Sequence, residues 1–254
     1  MLTMIDKHLH TFYIALSFLT RIPVPIKGEV KQSDIGQSIL FYPLVGALIG
    51  LILFLLTQGI LFWSPDFSSD VLAAVLLIVW VLLTGGLHLD GLADSADAWI
   101  GGLNDRERTL AIMKDPYCGP IAVAVIVLLL LLKWTALSAL LEADYAAFLI
   151  VVPMLSRALI IVLFMTTTYV RDSGLGSALL DFLPEENYLW LSLLASVVAY
   201  LIFAGFASIL LVALVVYGLR AMMLQRIHGM TGDTLGAIVE ISEAVALLGL
   251  LLSV

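Results

Sequence analysis

Charge is scarce in this 254-residue chain. Only 13% of its residues are Asp, Glu, Lys or Arg, whereas 62% are hydrophobic, and mean hydropathy is +1.10. A soluble domain carries about 25% charged and about 45–50% apolar residues. The deficit excludes a water-exposed globule and predicts an integral membrane protein with the lipid bilayer as its surroundings. Cysteine is nearly absent: with Cys118 alone there is no intrachain disulfide and no cysteine-based metal framework. Positive charge is short as well, 12 Lys and Arg against 20 Asp and Glu, so no nucleic-acid partner is expected. The first ten residues lack a basic segment leading into an apolar stretch and a cleavage site, so no removable signal peptide is expected. No Gly/Ser-rich or Pro-rich linker and no internal repeat divides the chain, and residues 1–254 are expected to form one domain.

What remains is long apolar runs. A spanning helix needs about 20 mainly apolar residues. Residues 39–63, 71–87, 119–141, 145–169 and 235–254 each supply one. Residues 188–219 are too long for a single crossing at about 1.5 Å per residue, and a break is expected near Ala204-Gly205. Residues 11–20 are apolar but short, and Arg21-Ile22-Pro23-Val24-Pro25 stops them, which suits an interfacial or re-entrant helix. The predicted fold is all-α: a polytopic membrane helix bundle of about seven spans plus that short N-terminal helix.

Basic residues alternate between the connections. Lys7, Arg21, Lys27 and Lys31 precede the first long span, and Arg106, Arg108 and Lys114 lie between the second and third. Arg171 follows the fourth, and Arg220 and Arg226 precede the last. Residues 64–70 and 142–144 carry no Lys or Arg. The positive-inside rule then predicts a cytoplasmic N-terminus and puts loops 21–38, 90–115, 171–187 and 220–233 on the cytoplasmic side. An active site built from them would face the cytoplasm.

Two acidic constellations stand out. In Gly85–Asp97 (GGLHLDGLADSAD), Asp90, Asp94 and Asp97 recur at i, i+4 and i+7, on one helix face. Acids are favoured at a helix start by the dipole, which accounts for one of them but poorly for three like charges on one face. A divalent cation offsets such repulsion. In the second constellation, Thr231–Ala237 (TGDTLGA) is followed by Glu240 and Glu243. Asp233 and Glu240 are seven apart on one face; Asp233 also suits helix capping. Glu240 and Glu243 interrupt an apolar span, where carboxylates usually face the bundle interior and bind something. Their spacing fits a metal ligand and a general base equally.

Cations accompany the acids. Arg157 sits mid-span and needs an anion, either an intramembrane acid such as Glu240 or a substrate phosphate. Lys114 ends the acidic loop and suits polyphosphate binding. Arg106 reads better as a topology anchor, and Lys133, after a run of Leu, as a snorkelling lysine. The segment Arg171-Asp172-Ser173-Gly174-Leu175-Gly176 has the glycines to wrap a phosphate. His88 is either an interfacial histidine, a donor behind the acids, or a base near neutral pH. Acids from two distant helices with cations around them suit phosphoryl transfer assisted by Mg2+, with Mn2+ the alternative for all-oxygen ligation.

These motifs, with the Ile112–Asp115 IMKD, Ser156-Arg157, and Phe18–Pro25 near the start, resemble the cobalamin synthase family, also called adenosylcobinamide-GDP ribazoletransferases. They occur in the family's order over nearly the whole chain. Two departures are visible: Ala98 stands where the family often has Gly, and Pro116-Tyr117 replaces Ser-Arg, removing a phosphate-contacting Arg. The resemblance implies an enzyme of the bacterial cytoplasmic (inner) membrane. It would join adenosylcobinamide-GDP to α-ribazole or α-ribazole 5′-phosphate, with GMP leaving and magnesium required. Asp90, Asp94, Asp97 and Asp233 would then hold metal, with Glu240 or Glu243 completing the shell. Lys114, Arg157 and Arg171 would balance phosphate charge, and Asp97 or Glu240 would accept the hydroxyl proton. A homo-oligomer is compatible with this reading. The rivals are a CDP-alcohol phosphatidyltransferase-like enzyme, disfavoured by Asp97-Ala98-Trp99 without a following Arg, and a cation transporter with Glu240 and Glu243 in its path.

Overall fold

Runs of Leu, Ile, Val and Ala bring no polar side chains to compete for the backbone, and in lipid only a helix satisfies a spanning segment's N–H and C=O groups internally. The computed structural model describes residues 4–26, 28–171 and 175–252, and all regular elements among them are helical. They are α1 (Met4–Leu19), α2 (Gln32–Ser38), α3 (Tyr42–Trp63), α4 (Ser69–Thr84), α5 (Leu87–Gly101), α6 (Arg106–Ile112), α7 (Pro120–Glu142), α8 (Val151–Thr166), α9 (Leu175–Asp181), α10 (Glu186–Ile227) and α11 (Gly232–Leu251). Of the basic residues used for topology, Lys27 lies outside the described residues, as does the 172–174 part of the glycine-containing segment.

Five helical segments are long and apolar enough to cross a membrane: Gln32–Trp63, Pro120–Glu142, Ala146–Thr166, Glu186–Ile227 and Gly232–Leu251. The bent pair α4 and α5 makes a sixth if it is one span. The expected count of about seven is therefore not reached by length and composition. The difference lies in α10. Its 42 residues would extend roughly 63 Å as one rod, about twice the hydrocarbon thickness, and the helix is interrupted at Gly205 (φ 70, ψ 172). There Tyr200 Oη and Ser208 Oγ are 2.7 Å apart across the break. Near one end of α10, Ser192 Oγ donates to Leu40 O (3.1 Å); at the other, Arg106 Nε donates to Ile227 O (3.0 Å). Both ends thus lie near the cleft described below, and the helix doubles back where a break was expected.

Phe62, Trp63, Ile202, Phe206 and Leu214 are exposed on the outside, Trp63 at 86%. Such a perimeter is a liability in water and the ordinary surface of a protein in lipid. Inside, the helices approach closely through small residues. A Cβ added at Gly46 or Gly50 of α3 would collide with the backbone of α8 at Pro153 or of the turn before it at Leu149. Close backbone approach replaces the hydrophobic effect as the driving force between helices in lipid.

The element that positions the site is α5. Gly85 and Gly86 both adopt left-handed conformations (φ 64 and φ 71), which side-chain-bearing residues adopt only with strain. They turn α5 by 89° from α4, so the acidic helix lies across the end of the bundle instead of continuing the span.

Candidate active site

Two helices meet at two glycines. A Cβ on Gly91 of α5 would stand 2.7 Å from Asp233 O, and one on Gly236 of α11 would stand 3.1 Å from His88 O. The crossing is close only because both side chains are hydrogen. It sets Asp90 and Asp94 beside Asp233, and Asp94 lies within electrostatic reach of Asp233, Asp90 and Asp97. At the head of α11 the cap is Thr231: its Oγ1 accepts from Thr234 N, while Thr234 Oγ1 accepts from Thr231 N (2.9 Å). Capping therefore does not explain why an acid is at position 233.

Just before that cap, Met230 forms a parallel β-bridge with Tyr169. Val170 N donates to Met230 O (2.9 Å) and Met230 N to Thr168 O (2.8 Å). This clip fixes the segment after α8 and brings Arg171 to Asp233, with Arg171 NH2 and Asp233 Oδ2 at 2.5 Å. Arg171 NH2 also approaches Met113 O (3.4 Å), and its buried Nε has no hydrogen-bond partner. A cleft of about 270 Å³ opens here, lined by His88, Asp90, Gly91, Tyr169, Arg171 and Asp233 on its polar side and by Phe18, Leu19, Tyr42, Ile160 and Phe164 on its apolar side. Burial raises the Tyr169 hydroxyl above its ordinary pKa, with Arg171 opposing the shift.

Asp97 does something else. Its carboxylate accepts from Gly119 N (2.5 Å) and Ala122 N (2.9 Å), capping the first turn of α7 from a neighbouring helix. The first N–H groups of a helix have no partner within it, and its dipole favours an anion there. Both carboxylate oxygens of Asp97, expected as a metal ligand or general base, accept from backbone donors.

Glu240 and Glu243 also differ from expectation. Lys133 Nζ of α7 lies 2.5 Å from Glu240 Oε2 and 2.5 Å from Glu243 Oε2. Arg157 of α8 is ion-paired with Glu243 through NH1, and Ser156 Oγ donates to the same carboxylate (3.2 Å). Arg157 and Glu243 are wholly buried, and Lys133 is 3% exposed. Two cations and two anions thus neutralise one another inside the bundle. These glutamates, expected as metal ligands with Glu240 a candidate proton acceptor, are held by Lys133 and Arg157. Lys133 does not snorkel; it crosses from α7 to α11 and also lies 5.0 Å from the Trp80 ring. The intramembrane acid that Arg157 meets is Glu243.

The remaining expectations sort simply. Asp90 is exposed, Asp94 half-buried, and Lys114 exposed just beyond α6. His88 is buried, with Arg157 NH2 3.4 Å from its Nδ1. Among the described residues no group of three or more Asp, Glu, His or Cys already converges on one metal position. Tyr169 joins the cleft without having been singled out by the sequence, because an aromatic residue after a span ordinarily marks the interface.

Comparison with known proteins gives a concordant result. A family model described as cobalamin-5-phosphate synthase matches residues 11–251. A protein of Pseudomonas fluorescens (strain SBW25) is 50% identical over 243 residues, covering 95% of this chain and 99% of its own. One from Pseudomonas fluorescens (strain Pf0-1) is 51% identical and one from Ectopseudomonas mendocina (strain ymp) 49%, each over 94% of this chain and 98% of its own. All three carry the name adenosylcobinamide-GDP ribazoletransferase. No solved structure matches the chain.

Proposed function

The chain belongs to the cobalamin-5-phosphate synthase family, and on that premise we propose that it transfers the cobinamide phosphate of adenosylcobinamide-GDP to α-ribazole or α-ribazole 5′-phosphate, releasing GMP. The observation that carries the reading is the α5–α11 crossing, which brings Asp90, Asp233 and Arg171 to one cleft on the end of a membrane bundle, with Asp94 within electrostatic reach of all three.

The alcohol oxygen of the ribazole attacks the phosphorus bonded to cobinamide, the phosphoanhydride bond to GMP breaks, and the hydroxyl proton passes to a carboxylate. With Asp97 and Glu240 occupied, Asp90 and Asp94 are the candidates to accept it. The donor set Asp90, Asp94 and Asp233 is all hard oxygen and fits Mg2+, which ordinarily takes only one or two protein carboxylates and completes its shell with waters and substrate phosphates. Mn2+ suits the same oxygens. Bound there, the ion would neutralise diphosphate charge and polarise the phosphorus. Arg171 already neutralises Asp233; turned toward the substrate, it would contribute a planar donor pair to a phosphate. Lys114, exposed near Arg171, adds positive charge at the same end. The apolar wall formed by Phe18, Leu19, Tyr42 and Ile160 limits water beside the attacked phosphorus.

Arg106 at the start of α6, Arg171 after α8 and Arg220 near the end of α10 lie at the cleft end, whereas Asp70, bonded by Trp134 and Ser138, marks the other. By the positive-inside rule the cleft faces the cytoplasm from a bacterial inner membrane. Glu240 and Glu243 are both ion-paired inside the bundle, which disfavours a transport path through them. The test is GMP release from adenosylcobinamide-GDP by the purified protein in liposomes, with and without α-ribazole and Mg2+. Absence of acceptor-dependent GMP would refute the reading.

A further inference from the structure

A guanidinium carries only donors. With Arg157 NH2 at 3.4 Å from His88 Nδ1, Nδ1 must accept, and the single ring hydrogen belongs on Nε2. Arg157 is not free to turn away. It is wholly buried and held by Glu243, by Ser156 Oγ (2.8 Å) and by Pro153 O (3.4 Å), while Glu243 is held in turn by Lys133. A line of polar contacts therefore runs Lys133–Glu243–Arg157–His88 from the interior of the bundle to the first turn of α5, two residues before Asp90. His88 is among the residues lining the cleft.

The geometry points to His88 as a neutral Nε2–H donor to a phosphoryl oxygen of the nucleotide diphosphate, with Arg157 and Glu243 as positioning residues that fix its tautomer. This rests on the transferase reading above and gives the buried charges a purpose. Burying two ion pairs is costly in desolvation and rarely stabilises more than apolar packing would. Its benefit here is a ring locked in one tautomer beside the reacting phosphate. A neutral donor also suits the cleft: it stabilises charge growing on phosphorus-bound oxygen without adding a cation that would compete with Mg2+ for Asp90 and Asp94.

The test uses full-length protein in liposomes and follows GMP release at saturating Mg2+. Gln places its amide nitrogen where the histidine has Nε2, whereas Asn places it near Nδ1. His88→Ala and His88→Asn are expected to lower kcat by about 10²–10³-fold, the usual loss for one preorganised donor, with a much smaller change in KM. His88→Gln is expected to recover most of that loss. Near-wild-type kcat in His88→Ala, or a His88→Gln as impaired as His88→Ala, would overturn the proposal. Independently of any variant's folding, ¹⁵N NMR of histidine-labelled wild-type protein is expected to show the Nε2–H tautomer at His88; an Nδ1–H tautomer would overturn it. Failure of the wild type to release GMP would instead sink the transferase reading itself, so the two failures are distinguishable.

Discussion

Glu243 and Arg157 form an ion pair with no exposure to solvent, on neighbouring helices α11 and α8. Glu243 also holds Lys133, so one carboxylate joins three helices. Removing one partner of such a pair leaves the other buried and uncompensated, which costs about 3–5 kcal/mol. Glu243→Gln is expected to lower stability in detergent by about that amount, read as a fall in the unfolding midpoint. Glu243→Gln combined with Arg157→Met is expected to recover part of the loss, since the stranded charge is gone. Equal stability of the wild type and Glu243→Gln would contradict the buried pairing.

Asp97 is expected to behave as a cap. Losing a helix cap costs about 0.5–2 kcal/mol, so Asp97→Ala should destabilise modestly, while Asp97→Ser and Asp97→Asn, which keep an acceptor, should lie in between. GMP release should follow stability across the three variants. An Asp97→Asn that is fully stable yet inactive would place this carboxylate on the reacting groups instead.

Gly91 tests the crossing itself. A methyl at this position meets the backbone of Asp233 at 2.7 Å, and a backbone cannot swing aside as a side chain would. Gly91→Ala is expected to separate α5 from α11, weakening the Mg2+ dependence and lowering GMP release by at least about tenfold, the equivalent of about 1.4 kcal/mol. Gly236→Ala meets His88 less tightly, at 3.1 Å, and should be milder. Equal activity of Gly91→Ala and the wild type would mean that Asp233 does not work with Asp90 and Asp94.

Much of this was legible in the sequence, and the reasons are particular. Residue hydropathy locates helices in lipid because nothing else satisfies the backbone there, and the over-long run around Gly205 announced its own break. Asp90 and Asp94 stood out in the sequence by their i, i+4 spacing on one helix face, and Asp233 by its place in the TGDTLGA motif. Asp97 was not legible as a cap: periodicity along α5 places it on the acidic face, but the donors that take it belong to α7, 22 and 25 residues later. Lys133 was illegible for a similar reason, and for Arg157 the need for an anion was legible but the choice of Glu243 over Glu240 was not. Which acid meets which cation depends on how α7, α8 and α11 are rotated about their axes, and near-uniform apolar sequence in α7 leaves that rotation unstated.

The most direct measurement is stoichiometric: GMP and the cobalamin product quantified together from purified protein in liposomes, supplied with adenosylcobinamide-GDP, α-ribazole and Mg2+, beside Asp94→Asn. One GMP per product in the wild type, lost on chelation with EDTA and lost in Asp94→Asn, is the expected result. Full product formation by Asp94→Asn, or GMP released without product, would contradict a phosphoryl-transfer site at the α5–α11 crossing.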